Sequence, residues 1–186
     1  MPKFQDFLNS QKRISGVRVN LVANSAGEFV DSNGSSRGIS TTEDKALLVK
    51  LRSLADVIVT DAATARREQY KPSKYAPIKI WSSSGSFDGL TVQPGLEHIK
   101  VDDAQQELEH LKRNFESILL ECGPTLTGLL AKVEAIDHAN ISVTGKLSSA
   151  EAREVYQQVA IVLHLEYLSR VELKQFENTA FFSASR

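Results

Sequence analysis

The sequence predicts an α/β fold, a mixed and mostly parallel sheet flanked by helices, with an antiparallel hairpin at its C-terminus. Three observations point there. Short apolar runs alternate with segments of helical spacing, as a βαβ chain requires. The run Val57–Val59 is wholly apolar and suits a parallel strand covered on both faces, and Ser117–Glu121 reads as a further strand. Two β-rich stretches at the end of the chain are separated by Glu177-Asn178, a break that fits a hairpin.

Residues 1–16 read as a lead-in in which Phe4, Phe7 and Leu8 have helical spacing, and 17–186 as a single domain. Val17 to Ala23 alternates and then turns wholly apolar, a strand near the sheet centre. The Ser-, Gly- and Asn-rich stretch from Asn24 to Ser40 is a loop. Ser40 with Glu43 forms a capping-box pattern for a helix carrying Ala46, Leu47, Val49, Leu51 and Leu54. After the strand at Val57, Thr64 to Gln69 starts another helical turn, with Thr64 able to cap it. Strands follow at Ile78–Trp81 and Ile99–Val101, then a helix capped by Asp102 or Asp103. The strand ending at Glu121 runs through Gly123 and Pro124 into a helix to Val133. A strand near Asn140–Val143 precedes a helix from Ser148 to about Gln158, opened by a Ser148/Glu151 capping box. Val159–Leu168, Val171–Phe176 and Thr179–Ser183 read as β-rich.

A chain of 186 residues, 41% hydrophobic, can bury a core without staples. The formal net charge of -1 and the lack of a Lys/Arg cluster predict no nucleic-acid partner and no attraction to a membrane surface, which leaves a small-molecule substrate. Cys122 stands alone, so no intrachain disulfide or cysteine-based zinc cage can form, and a reducing, cytoplasmic setting is expected. His98, His110, His138 and His164 lack metal-ligand spacing, and no bound metal is expected. His164, between Leu163 and Leu165, is expected to be a satisfied core or interface residue. Cys122 is expected to pack rather than to attack a substrate.

The chemistry-bearing segments are two strand-to-helix turns. Glu121-Cys122-Gly123-Pro124-Thr125-Leu126-Thr127-Gly128 puts free N–H groups at a helix start, which is either a phosphate seat or an ordinary helix N-terminus. Asp61-Ala62-Ala63-Thr64-Ala65-Arg66-Arg67-Glu68 follows a strand's carboxyl end, where open α/β sheets bind ligands. Glu68 could position a nicotinamide or pass a proton, or could belong to a solvated ion-pair face with its arginines.

Taken in order, Val19–Gly27, Gly38-Ile39-Ser40, Leu51–Val59, Ala63–Glu68 and Glu121–Leu126 resemble the reductase domain of the bifunctional riboflavin-biosynthesis deaminase/reductase and related pyrimidine reductases. The resemblance implies a dihydrofolate-reductase-like fold, NADPH as hydride donor, a homodimer, and a ribosylamino-pyrimidine phosphate as substrate. It implies Thr64, Glu68, Gly123, Pro124, Thr125, Leu126 and Gly128 against the cofactor, with Glu68 catalytic, and Ser36, Arg52 and Glu121 facing the substrate. The chain departs from the family at Ala26, where the family has Asp, and after Glu68, where Lys71 and Lys74 replace an arginine fork. The loss at Ala26 keeps open a second reading, a non-catalytic homologue that acts as a nucleotide-binding or interaction protein.

Overall fold

In the computed structural model, which describes residues 3–186, one eight-stranded sheet organises the chain. The elements are α1 (Phe4–Ser10), β1 (Gly16–Asn24), α2 (Thr42–Arg52), β2 (Val57–Asp61), α3 (Ala62–Arg67), β3 (Ile78–Ser82), β4 (Leu96–Lys100), α4 (Ala104–Lys112), β5 (Ser117–Leu120), α5 (Pro124–Lys132), β6 (His138–Thr144), α6 (Ser149–Val162), β7 (Arg170–Phe176) and β8 (Thr179–Ser185). The strand order is β4-β3-β2-β5-β1-β6-β8-β7. β1 to β6 are mutually parallel; β8 pairs antiparallel with β6, and β7 with β8. The mixed sheet and the C-terminal hairpin are those the sequence predicts, and Glu177 makes the hairpin turn at φ 47°. Of the lead-in, Met1 and Pro2 lie outside the described residues.

Strand periodicity sorts the core into two layers. Val57, Val59, Ile118 and Leu120 face the layer containing Leu108, Leu130, Val155 and Tyr156 from α4, α5 and α6. Ile58, Leu119, Ile78 and Ile80 face Phe7, Leu47, Leu51 and Ala65 from α1, α2 and α3. The lead-in helix is pinned by aromatics: Phe4 meets Phe176 edge-on at 5.3 Å, and Phe7 lies 5.0 Å from Phe181. β5 is the hinge of the layout, because Leu120 pairs with Val19 on one side and with Val59 on the other. The carboxyl ends of β1, β2 and β5 therefore open side by side.

Several expectations are corrected. The α2 cap is Thr41, whose hydroxyl accepts from the Asp44 N–H at 3.2 Å; Ser40 instead donates its hydroxyl to the Asp44 carboxylate. Thr41 also bonds the Thr179 hydroxyl at 2.7 Å. Thr41→Ala is expected to lower stability by about 1 kcal/mol in urea denaturation, the usual cost of a lost cap. Asp61, not Thr64, caps α3. β4 begins at Leu96 rather than Ile99, since this edge strand mixes Glu97, His98 and Lys100 among its apolar residues.

The largest correction is at 159–168. The run Val159-Ala160-Ile161-Val162, β-branched except at Ala160, continues α6, because Val155, Tyr156, Val159, Ala160 and Leu163 fall on one buried face. His164 is then an exposed turn residue at φ 56°, not a core histidine.

Candidate active site

β2 ends at Asp61 and β5 at Leu120, and the turn after each strand starts a helix. The Asp61 carboxylate joins the two turns. Its Oδ1 accepts from the Thr64 N–H at 2.8 Å, while Oδ2 accepts from the Thr64 hydroxyl and from the Gly123 N–H, each at 2.8 Å. Side chains crowd Gly123: a Cβ there would lie 3.1 Å from Thr64 Oγ1, so that hydroxyl would have to give way, and 3.5 Å from Asp61 Oδ2.

Two cavities meet at this junction. The larger, of about 880 Å³, runs past the carboxyl ends of β2, β3 and β4, over Asp61–Ala63, Trp81–Ser84, Val101–Ala104 and Gly123–Leu126. That volume and its mixed lining fall within the range of small-molecule and cofactor sites. The smaller, of about 120 Å³, lies over β1 and β5, lined by Asn20, Ser36, Ser40, Asp44, Thr64, Glu68, Tyr70 and Glu121 among others. Phe29 and Val30 of the long loop, together with Arg67, Gly123 and Pro124, border both.

Of the residues expected at a site, Thr64, Glu68, Gly123, Pro124, Ser36 and Glu121 come together on the smaller cavity, and Thr125 and Leu126 line the larger. Arg52 and Gly128 line neither. Gly128 is buried in α5, where an added Cβ would lie 3.8 Å from the His164 ring. Arg52 gives its fork to Glu121, with Nε donating to Oε1 at 2.7 Å and Nη2 to Oε2. Tyr70 donates to the same Oε2 at 2.7 Å, and the Arg52 guanidinium lies 5.4 Å from the Tyr70 ring centre. Burial, reinforced by the neighbouring Glu121, lifts the Tyr70 phenol well above its ordinary value and keeps it a donor.

Glu68 is also occupied. Its carboxylate accepts from the Ser36 N–H at 2.7 Å and the Ser35 hydroxyl at 3.0 Å, and pairs with Arg37 at 3.4 Å. It clamps the 3₁₀ turn Ser36–Gly38 against the end of α3.

Asp44 was not singled out by the sequence reading. It is 4% exposed in the smaller cavity, and its Oδ1 has no hydrogen-bond partner. Burial raises its carboxyl above the ordinary value; the Ser40 hydroxyl, which donates to it, pulls the other way without cancelling the rise. Its helical spacing was the available signal, since Asp44 stands on the same face of α2 as the buried Leu47 and Leu51. Cys122 is buried, its thiol pushed up to about 12 by desolvation, in keeping with a packing role. Among the described residues no acidic, histidine and cysteine cluster could hold a metal ion, and no helix is long and apolar enough to cross a membrane.

No protein-family model matches the chain, and no curated protein does. Solved structures do match. A pyrimidine reductase-like protein from Corynebacterium diphtheriae aligns with 92% of this chain and 91% of its own at a TM-score of 0.66 and 16% identity. A diaminohydroxyphosphoribosylaminopyrimidine deaminase/5-amino-6-(5-phosphoribosylamino)uracil reductase from Thermotoga maritima aligns over 92% of this chain and 56% of its own, with a TM-score of 0.63 and 13% identity. Dihydrofolate reductase from Enterococcus faecalis, complexed with NADP(H), aligns over 92% and 96% at a TM-score of 0.61 and 8% identity. The chain has the dihydrofolate-reductase-like fold that the pyrimidine reductases share.

Proposed function

We propose that the chain is a reductase of a small heterocycle, with a ribosylamino-pyrimidine phosphate or a relative of it as substrate and NADPH as reductant. The observation that carries this reading is the meeting of the two strand-to-helix turns at one junction, with a dinucleotide-sized cleft on one side and a small polar cavity on the other. In this reading the larger cleft holds the cofactor along Ala62-Ala63, Ser82–Ser84, Asp103-Ala104 and Gly123–Leu126, where close backbone approach is possible. The cofactor supplies a hydride when bound.

The protein's own work is then to align the acceptor carbon and to provide the proton that completes the reduction. Asp44 carries that proton: burial lets it stay protonated to higher pH than an exposed aspartate, it lines the smaller cavity, and one of its carboxylate oxygens has no hydrogen-bond partner. Glu68 acts on position, holding Ser35–Arg37 as one wall. Glu121, fixed by Arg52 and Tyr70, offers its wall as an acceptor surface, with Ser36 in the same lining. Phe29 and Val30, which border both cavities, keep water from the boundary where hydride would cross.

The test is turnover. NADPH is expected to be consumed when the phosphoribosylamino-pyrimidine is added to the intact chain, and not in its absence. A chain that binds the pyrimidine yet leaves NADPH untouched over many enzyme equivalents would remove the reductase assignment.

A further inference from the structure

We propose that Asp61 sets the affinity of the larger cleft for a dinucleotide: its carboxylate is a resident anion on the donors that a cofactor phosphate needs, so a phosphate enters only by displacing it. The inference rests on reading that cleft as the cofactor site.

An ordinary N-cap side chain satisfies one backbone donor of its own helix. Asp61 does this at Thr64, and it also reaches across to a second element, accepting the Gly123 N–H at the start of α5. The Thr64 hydroxyl turns onto the same oxygen. Donors from two neighbouring strand-to-helix turns thus converge on one acceptor, an arrangement suited to holding an anion. The anion it holds is part of the chain.

A ligand phosphate arriving here meets a like charge and donors already bonded. Removing those hydrogen bonds from Asp61 without replacement is costly, because hydrogen bonds to a charged acceptor are the stronger kind. A positive charge also stands beside the junction, on the exposed side chain of Arg67, whose Nε donates to the Ala63 carbonyl at 3.4 Å. Arg67 borders both cavities, and its Nη2 would lie 3.7 Å from a Cβ at Gly123. Among the described residues no carboxylate forms an ion pair with it. Its neighbour Arg66 is committed to the loop below, donating to the carbonyls of Asp88 at 2.7 Å and Ser86 at 2.9 Å. The junction therefore has a guanidinium without a carboxylate and a carboxylate that holds the backbone donors. Taking the carboxylate away leaves a cation and the Gly123 N–H facing the same cleft.

The experiment compares the intact wild-type chain with Asp61→Gly and Asp61→Asn. Glycine is an accepted N-cap residue, so α3 should survive its introduction, and asparagine keeps the shape while removing the charge. Folding of each variant is checked by its melting temperature. Affinity is measured by fluorescence titration with NADPH and, as the phosphate-poor control, with dihydronicotinamide riboside. We expect Asp61→Gly to bind NADPH at least about tenfold more tightly than wild type, the equivalent of one or more new charge-assisted hydrogen bonds. Asp61→Asn should fall between them, and the riboside should not distinguish the three. If the wild-type chain binds NADPH and both variants bind it equally or more weakly, Asp61 is a cap and a cofactor contact, and the inference is overturned while the reductase reading stands. If no form binds NADPH, the cleft is not a dinucleotide site and both fall. Binding by the variants alone supports the inference in its strongest form.

Discussion

Asp44→Asn is expected to lower kcat/KM by about 10²- to 10⁴-fold, the usual contribution of a positioned proton donor, and at the same time to make the protein more stable at neutral pH. The two effects have one cause. Burial raises the Asp44 carboxyl in the folded chain above its value in the unfolded chain. Between those two values the folded state binds more protons than the unfolded state, so stability falls as pH rises through the interval and stays reduced above it. Asparagine has no proton to lose and abolishes that decline. The melting temperature of Asp44→Asn should therefore exceed that of wild type at neutral pH, with the difference shrinking on acidification. In the pH–rate profile of the wild-type chain, activity should fall as pH passes upward through the raised value, and this limb should be missing from the residual activity of the variant. Unchanged turnover, or a variant destabilised at neutral pH, would show Asp44 to be a structural group. Such a conflict between stability and rate is the mark of a group held where folding alone would not place it.

Asp44 also shows where sequence reading stops. At the start of α2, Glu43 and Asp44 look like any pair of acidic residues favoured by a helix dipole. What singles out Asp44 is that its face of the helix is the one carrying Leu47 and Leu51, and that β1 and β6 close over it. The turns after β2 and β5 were legible because an apolar strand, a small residue and a helix start leave a local signature; that the strands are neighbours follows only from the sheet order. The Asp61 side chain had a local signal as well, the spacing of a cap to Thr64, but its bond to Gly123 joins positions far apart in sequence. The misreading of 159–168 has a different origin. Valine and isoleucine favour strands when nothing else decides, and here the burial of one face of α6 against the sheet decides. The resemblance implied that Arg52 faces the substrate; in the structure its fork donates to Glu121, a partner 69 residues away that no local pattern announces.

That pairing yields the second large effect. Arg52→Ala is expected to cost about 3–5 kcal/mol in urea denaturation, because it strands a carboxylate deep in the wall of the smaller cavity. Glu121 is 6% exposed, and without Arg52 its remaining side-chain donor is the Tyr70 hydroxyl. Burial acts to lower the Arg52 guanidinium, but the hydrogen bonds and charge of Glu121 outweigh it, and the net shift is upward, as a tightly held pair requires. Arg52→Lys keeps a positive charge but cannot present two donors in a plane, so it should recover only part of the loss. The decisive comparison is the double variant Arg52→Met with Glu121→Gln, in which the buried charge disappears with its partner and the amide oxygen still accepts from Tyr70. It should be far more stable than Arg52→Ala, since removing both ions of a buried pair is often close to neutral. If Arg52→Ala were as stable as the double variant, the pair would be an exposed contact of little weight, and Glu121 would be free to move when a substrate enters. If the difference is found, Glu121 is a fixed wall, and the cavity keeps its shape whether or not a ligand is present.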